Sequence, residues 1–474
     1  MLAVAAVAAA AASCFAWTDA LQVTVGLLPA YALPCWLVRR DKHATLTARL
    51  LLLLVWLLLS AAAIVNLQLW TGVDGYSMEI PHLLRDDSSY YRWAYRVYHH
   101  EPPHKTTFVG LPLLMVGMWK VLGVSVVWPI VMNVLMMMLA VVAAAKTVVT
   151  LLEGRVKTPM TTAFTVAVLL AMGLFFLLSQ AVRVQKEASC ALSVTLVGYT
   201  LARLTARDTL THKDMAIYIA GTLLLALVRT SFVYFVLTGV VLLMLGNWRS
   251  RWRRGVLLAV IAVVAFAAGA WLSLYPFSQQ ANTIAGGDAM QRYFIIGYAQ
   301  QPYLEMIGNY FHYPVWKRVL LLPFTCAVQF VIPFPWVYEP LGRGYVMELM
   351  PRVRCMWYAV GGLVAFYYLF VAWRRDRGGL GVWALWPAAV FVIIAYITGG
   401  SVSRYVLPFE LLFLPMAVFV LFKVKEGEYR GAFVVWMVAF SFVLLATLLI
   451  CHEVQIDYLN GLERYYQDQA ALHK

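Results

Sequence analysis

The sequence predicts an all-α, polytopic transmembrane bundle of about 11–13 spans with juxtamembrane helices on its outer face. Three observations predict it. Hydrophobic residues make up 62% of the 474 positions and charged ones only 13%, about half the charged share of an ordinary soluble chain. Uninterrupted apolar windows such as Leu50–Asn66, Thr161–Leu178, Val256–Leu274 and Ala432–Cys451 are long enough to cross a hydrocarbon core. Lys and Arg collect in short clusters at the ends of such windows. No polar linker and no internal repeat divides the chain, so residues 1–474 are expected to form a single transmembrane domain.

Basic clusters favour the cytoplasmic side of a membrane and so orient the spans. The clusters are Arg39-Arg40-Asp41-Lys42, the Glu153–Lys157 turn, Arg203–Lys213, the Trp-Arg run 248–254, Arg374-Arg375-Asp376-Arg377 and Lys423–Arg430. One threading satisfies them all. Spans near 1–17 and 21–38 form a hairpin, 47–66 runs outward, 67–124 is an outer segment, and 125–146 returns. Spans at 161–180 and 187–204 make an out-and-back pair. The apolar stretch 215–246 is about twice one helix and folds into a hairpin with Arg229 at its outer turn. A span at 255–275 leads to a second outer segment, 276–354, on the acceptor side. Spans at 355–373, 379–398, 406–424 and 430–450 complete the body. Phe108–Leu122 is short, and Val319–Trp336 carries Pro323, Pro333 and Pro335, so both are read as interfacial elements.

Several function classes fall away. A net charge of +14 in a soluble protein would point to nucleic acid, but its placement at span ends accounts for it, and no nucleic-acid partner is expected. Six cysteines, Cys14, Cys35, Cys190, Cys326, Cys355 and Cys451, lie mostly in apolar segments without a CxxC pair, which implies neither a disulfide framework nor a metal site. Met1–Trp17 lacks a basic n-region and reads as a first span or anchor. No Walker motif, Gly-rich nucleotide loop or serine elbow is present, so any activated group arrives through the membrane.

The chemistry concentrates in the first outer segment. Asp87, Tyr91, Ala94 and Tyr98 recur at helical spacing, which predicts an amphipathic helix from about Ser88. Asp86-Asp87-Ser88-Ser89 is a good helix N-cap, and capping explains one acidic residue. It does not explain two carboxylates beside arginines, tyrosines and histidines. Asp86 and Asp87 are therefore the catalytic candidates. Either one takes the proton of an attacking hydroxyl as general base, or it holds a divalent cation, Mg or Mn, that neutralises a departing phosphate. The residue types do not choose between these. His99, His100 and His104 lack a clean metal spacing and suit either an interfacial or a substrate-facing role; His104 and Lys105 join Tyr91 as candidate substrate-binding residues.

A second set consists of cations expected on the outer face, where the positive-inside rule does not explain them. These are Arg183 and Lys186 between two spans, Arg229 inside an apolar run, and Arg404 with Tyr405 at the mouth of a late span. Each alone is explained by an ion pair or by snorkelling. Together they match an anionic headgroup, because arginine forks fit phosphate oxygens.

Asp86-Asp87-Ser88-Ser89-Tyr90-Tyr91-Arg92-Trp93-Ala94 resembles the acidic pair and juxtamembrane helix of the GT-C superfamily of membrane glycosyltransferases, especially its protein mannosyltransferase-like and aminoarabinose transferase-like branches. Asp87 stands where those families often have a glutamate. His104-Lys105-Thr106-Thr107-Phe108-Val109-Gly110-Leu111-Pro112 is similar to their following stretch, with the double proline earlier, at Pro102-Pro103. Arg404-Tyr405-Val406-Leu407-Pro408 resembles an Arg-Tyr-x-x-Pro element of bacterial members. The resemblance implies a GT-C-like fold in a bacterial inner membrane and a periplasmic active site. It implies a polyprenyl-phosphate-linked sugar donor, a glycan, lipid or protein acceptor, and an inverting displacement. An O-antigen-type polymerase or ligase, and a flippase or transporter of lipid-linked sugars, are the alternative readings.

Overall fold

The computed structural model describes residues 2–83, 85–101, 110–207, 210–246, 248–274, 310, 313–331, 357, 364–373, 379–399, 405–446 and 449. Regular structure among them is entirely helical, as expected of a chain whose backbone groups must be satisfied without water. Among the described residues, eight helical stretches are long and apolar enough to cross a membrane, His212–Leu245 counted as one, which makes this an integral membrane protein. Four more apolar helices, Leu2–Cys14, Gly110–Leu122, Met160–Met172 and Arg430–Ala446, are shorter than a span.

Contacts divide the chain into two units. The first comprises Met1–Gln280, Glu339–Ala389 and Leu407–Tyr429. Helices α1 (Leu2–Cys14), α2 (Trp17–Arg39) and α3 (Leu46–Thr71) are followed by α4 (Arg85–Tyr98) and α5 (Gly110–Leu122). Next come α6 (Val127–Leu152), α7 (Met160–Met172), α8 (Phe175–Ser179), α9 (Glu187–Arg207), α10 (His212–Arg229), α11 (Val233–Gly246) and α12 (Trp248–Leu274).

Cross-helix pairs give the directions. Tyr218 of α10 donates to the Leu258 carbonyl of α12, and Gly269 of α12 lies against Ala226, so α10 and α12 run parallel. Gly255 lies against Met244 and the Phe266 ring against Tyr234, so α11 runs against α12. The stretch from His212 to Leu245 is therefore folded back on itself, as its length predicts, with Arg229 at the turn. Arg229 leaves the helix with φ −154° and ψ 77°.

One end of this unit gathers the basic clusters. Lys146 pairs with Asp41 at 3.3 Å, Arg207 with Glu153 at 3.2 Å, and the Lys157 amide donates to Glu426 at 2.7 Å. Gly379 lies beside Arg155. There Thr211 and Asp214 close a capping box on α10, and Asp214 also pairs with Arg203 at 3.5 Å. The clusters that the sequence assigns to one side thus meet at one end, and Arg374–Arg377 lie outside the described residues.

Four boundaries differ from expectation. The first span is a 13-residue helix, too short to cross alone. The amphipathic helix starts at Arg85, so Asp86 and Asp87 sit inside its first turn and are not residues that precede it. A carboxylate there is favoured by the helix dipole. The 161–180 span breaks after Met172 at Gly173 and continues as α8 and a 3₁₀ turn over Gln180–Val182. The late span begins as a 3₁₀ stretch, Leu407–Phe413, before the α-helix Leu414–Lys425; Pro408, with no N–H to donate, falls in that stretch.

The second unit comprises Ala281–Tyr338, Val390–Val406 and Arg430–Lys474. Two short helices, Val315–Leu320 and Leu322–Val331, are separated at Leu321 within the element expected at 319–336, whose Pro333 and Pro335 lie outside the described residues. Gln329 donates to the Phe391 carbonyl at 2.9 Å, Tyr310 to that of Tyr396 at 2.7 Å, and Phe330 packs on Phe391 and Phe440. Most of the expected acceptor-side segment 276–354 lies outside the described residues.

Candidate functional site

The end of the first unit opposite its basic clusters brings α4 onto the turn between α8 and α9. That turn exists because the helix breaks at Gly173, tightens to 3₁₀ geometry and then extends at Arg183, with φ −122° and ψ 156°. Arg183 Nε and Nη2 both donate to Asp87 Oδ2, at 3.1 and 3.0 Å, across 96 positions of sequence. The Asp87 side chain is fully buried, and that of Arg183 is 16% exposed. Three residues along α4, the Tyr90 ring lies 5.6 Å from the Lys186 ammonium. Such contacts between a cation and an aromatic face are attractive. Two residues of α4 are thus seated on the two cations of one turn.

Arg229 reaches the same end on α10, which runs antiparallel to α9. It is buried, and its guanidinium stacks 4.1 Å over the Phe232 ring. Cys190, one turn into α9, is buried at this end. Glu187 and, in the 3₁₀ stretch, Glu410 are buried carboxylates.

Tyr91, one turn beyond Asp87, donates to the Glu79 carbonyl at 2.7 Å and stands edge-on to Trp119, with centroids 5.0 Å apart. Burial pushes its phenol well above the ordinary tyrosine value, aided by the charge of Glu79 and by Tyr95. Tyr95 is shifted the same way by desolvation and by its hydrogen bond to Glu79 Oε1. These hydroxyls stay protonated donors at neutral pH.

No family model, no curated protein and no solved structure matches this chain.

Of the residues singled out in the sequence, the structure brings together Asp87, Arg183, Lys186 and Arg229, with Tyr91 on the flank. Asp86 lies on the first turn of α4, with its side chain outside the described set; Arg404, His104 and Lys105 lie outside it altogether. Tyr405 is half-buried and belongs to the second unit. No three His, Cys, Asp or Glu side chains converge as metal ligands among the described residues. Asp87 Oδ2 already faces a guanidinium, which is a poor neighbour for a divalent cation.

Sequence reading missed Asn66 and Asn133. Both are fully buried, on α3 and α6. Asn66 Nδ2 donates to the Val182 carbonyl at 2.9 Å. Asn133 Nδ2 donates to the carbonyls of Arg183 at 2.7 Å and Gln185 at 2.9 Å. The available signal was a lone asparagine in each apolar run, since polar side chains in spans face protein rather than lipid.

Proposed function

We propose that this protein is a membrane glycosyltransferase that moves a sugar from a polyprenyl-phosphate donor to an acceptor hydroxyl on the outer face of a bacterial inner membrane. The observation that carries the reading is the seating of Asp87 on Arg183 and of Tyr90 on Lys186, at the end of the first unit where Arg229 makes its turn and away from the basic clusters. A carboxylate beside several cations in a low-dielectric setting suits chemistry in which a hydroxyl loses a proton while a phosphate leaves.

In this proposal the acceptor oxygen attacks C1 of the sugar from the face opposite the phosphate. The C1–O bond breaks, its electron pair leaves with the polyprenyl phosphate, and configuration inverts. The hydroxyl proton passes to a carboxylate of the acidic pair. Asp87 is committed to Arg183, so Asp86 is the stronger candidate for the base and Asp87 for holding the arginine. Arg183, Lys186 and Arg229 stabilise the charge that develops on the phosphate.

The test is transfer of labelled sugar from a panel of polyprenyl-phosphate donors by the purified protein. Asp86→Asn is expected to lower turnover on the order of 10²-fold or more, the usual effect of losing a general base. Full activity in both Asp86→Asn and Asp87→Asn would reject the acidic pair as the catalytic element.

One observation favours a second reading. Helices broken at 173–186 and 407–413, with buried ionisable residues nearby, are also features of transporters. A lipid-linked sugar flippase would move labelled donor between the leaflets of proteoliposomes without any transfer, which separates the two.

A further inference from the structure

We infer that Asn66 and Asn133 are positioning residues that hold the 182–186 turn in the shape that presents its cations to the phosphate of a polyprenyl phosphate. The inference rests on the reading of that turn as the phosphate contact, and it names two residues which that reading did not include.

The turn poses a specific problem. Arg183 is extended, between a 3₁₀ turn and the first residue of α9, so the carbonyls of 182, 183 and 185 are not in regular helix. Val182, Gln185 and Lys186 are buried. Irregular backbone at membrane depth is tolerated only where protein groups satisfy it. Here three carbonyls are satisfied by two side chains from two other helices, at 2.7, 2.9 and 2.9 Å. Every acceptor is a carbonyl oxygen, so both amides must present their NH2 groups, and their orientation is not arbitrary.

The pattern matters as much as the number of bonds. Asn133 bridges residues 183 and 185 with one NH2 group. That fixes the backbone on both sides of residue 184 and hence the directions in which Arg183 and Lys186 leave the chain. Those directions carry Arg183 to Asp87 and Lys186 to the Tyr90 ring. Asparagines that merely join spans would bond to a neighbouring helix, whereas both of these bond to the turn. Neither is placed against the ligand; each acts through the cations it aims.

The experiment measures binding of polyprenyl monophosphate by the purified full-length protein in nanodiscs, in a double-mutant cycle of Asn133→Ala with Lys186→Gln. Melting curves accompany every variant. Asn133→Ala is expected to weaken binding about tenfold in the wild-type background and less than about threefold in the Lys186→Gln background, because residues that act through one another are not additive. The same tenfold loss in both backgrounds, or no loss in either, would overturn the positioning role. Should Asn133→Ala lose its melting transition, Asn66→Ala, which removes one bond of the three, runs through the same cycle with the same criterion. Failure of the wild-type protein to bind polyprenyl monophosphate would overturn the phosphate reading of the site and the positioning role with it. An additive cycle alongside intact wild-type binding would overturn the positioning role alone.

Discussion

At the scale of single residues the Asp87–Arg183 pair sets the terms. A buried ion pair offers little net stability, but removing one partner strands the other in a poor dielectric. Asp87→Asn alone is therefore expected to destabilise the protein by about 3 kcal/mol. Adding Arg183→Gln should recover part of that loss, and detergent melting of the single and double variants checks it. If the two losses simply add, the pair is not coupled. Tyr91 yields a pH prediction. Its phenol binds its proton more tightly in the folded protein than in the unfolded chain. The resulting stability is fully present below the ordinary tyrosine value of 10.0 and is lost as pH rises above it. Tyr91→Phe should flatten that alkaline decline in melting temperature and cost about 1 kcal/mol at neutral pH through the lost bond to the Glu79 carbonyl. The acidic pair and the unexplained cations were legible because charge in an apolar chain is conspicuous. Asn66 and Asn133 were not, since a neutral amide hardly alters the hydropathy of a span.

At the scale of elements, α5 shows how a short apolar helix is placed. Gly110 opens it, and a Cβ there would collide with the Leu227 carbonyl oxygen of α10. Backbone meets backbone at that point, two residues before Arg229. Gly110→Ala is expected to push α5 off α10 and destabilise the protein by about 1–3 kcal/mol, the usual cost of overpacking. Melting temperature reads the loss, and an unchanged value would refute the close approach. The hairpin at Arg229 and the shortness of α5 were predictable from length alone. The break at Gly173 was not: the window Thr161–Leu178 is apolar throughout, and a single glycine in a span is ordinary. What ends the helix is the tertiary demand for a turn beneath α4.

At the scale of the whole molecule, the basic clusters assigned by the positive-inside rule meet at one end of the first unit, and Asp87, Arg183 and Arg229 lie at the other. Single cysteines introduced for exposed Lys42 and His99, with the native cysteines replaced, test the orientation. A membrane-impermeant thiol reagent is expected to label the His99→Cys variant in intact spheroplasts and the Lys42→Cys variant only after lysis. The reverse pattern would place the candidate site on the cytoplasmic side and remove the periplasmic proposal.

Membrane residence, an all-helical fold and the grouping of basic clusters follow from composition and local pattern. Hydrophobic length and charge asymmetry act residue by residue and do not depend on how the chain folds back. The partnership of Asp87 with Arg183, and of Asn66 and Asn133 with the turn between them and α9, belongs to folded contacts. These residues lie about 50–116 positions apart, and what makes them partners is the need to satisfy polar groups buried away from water.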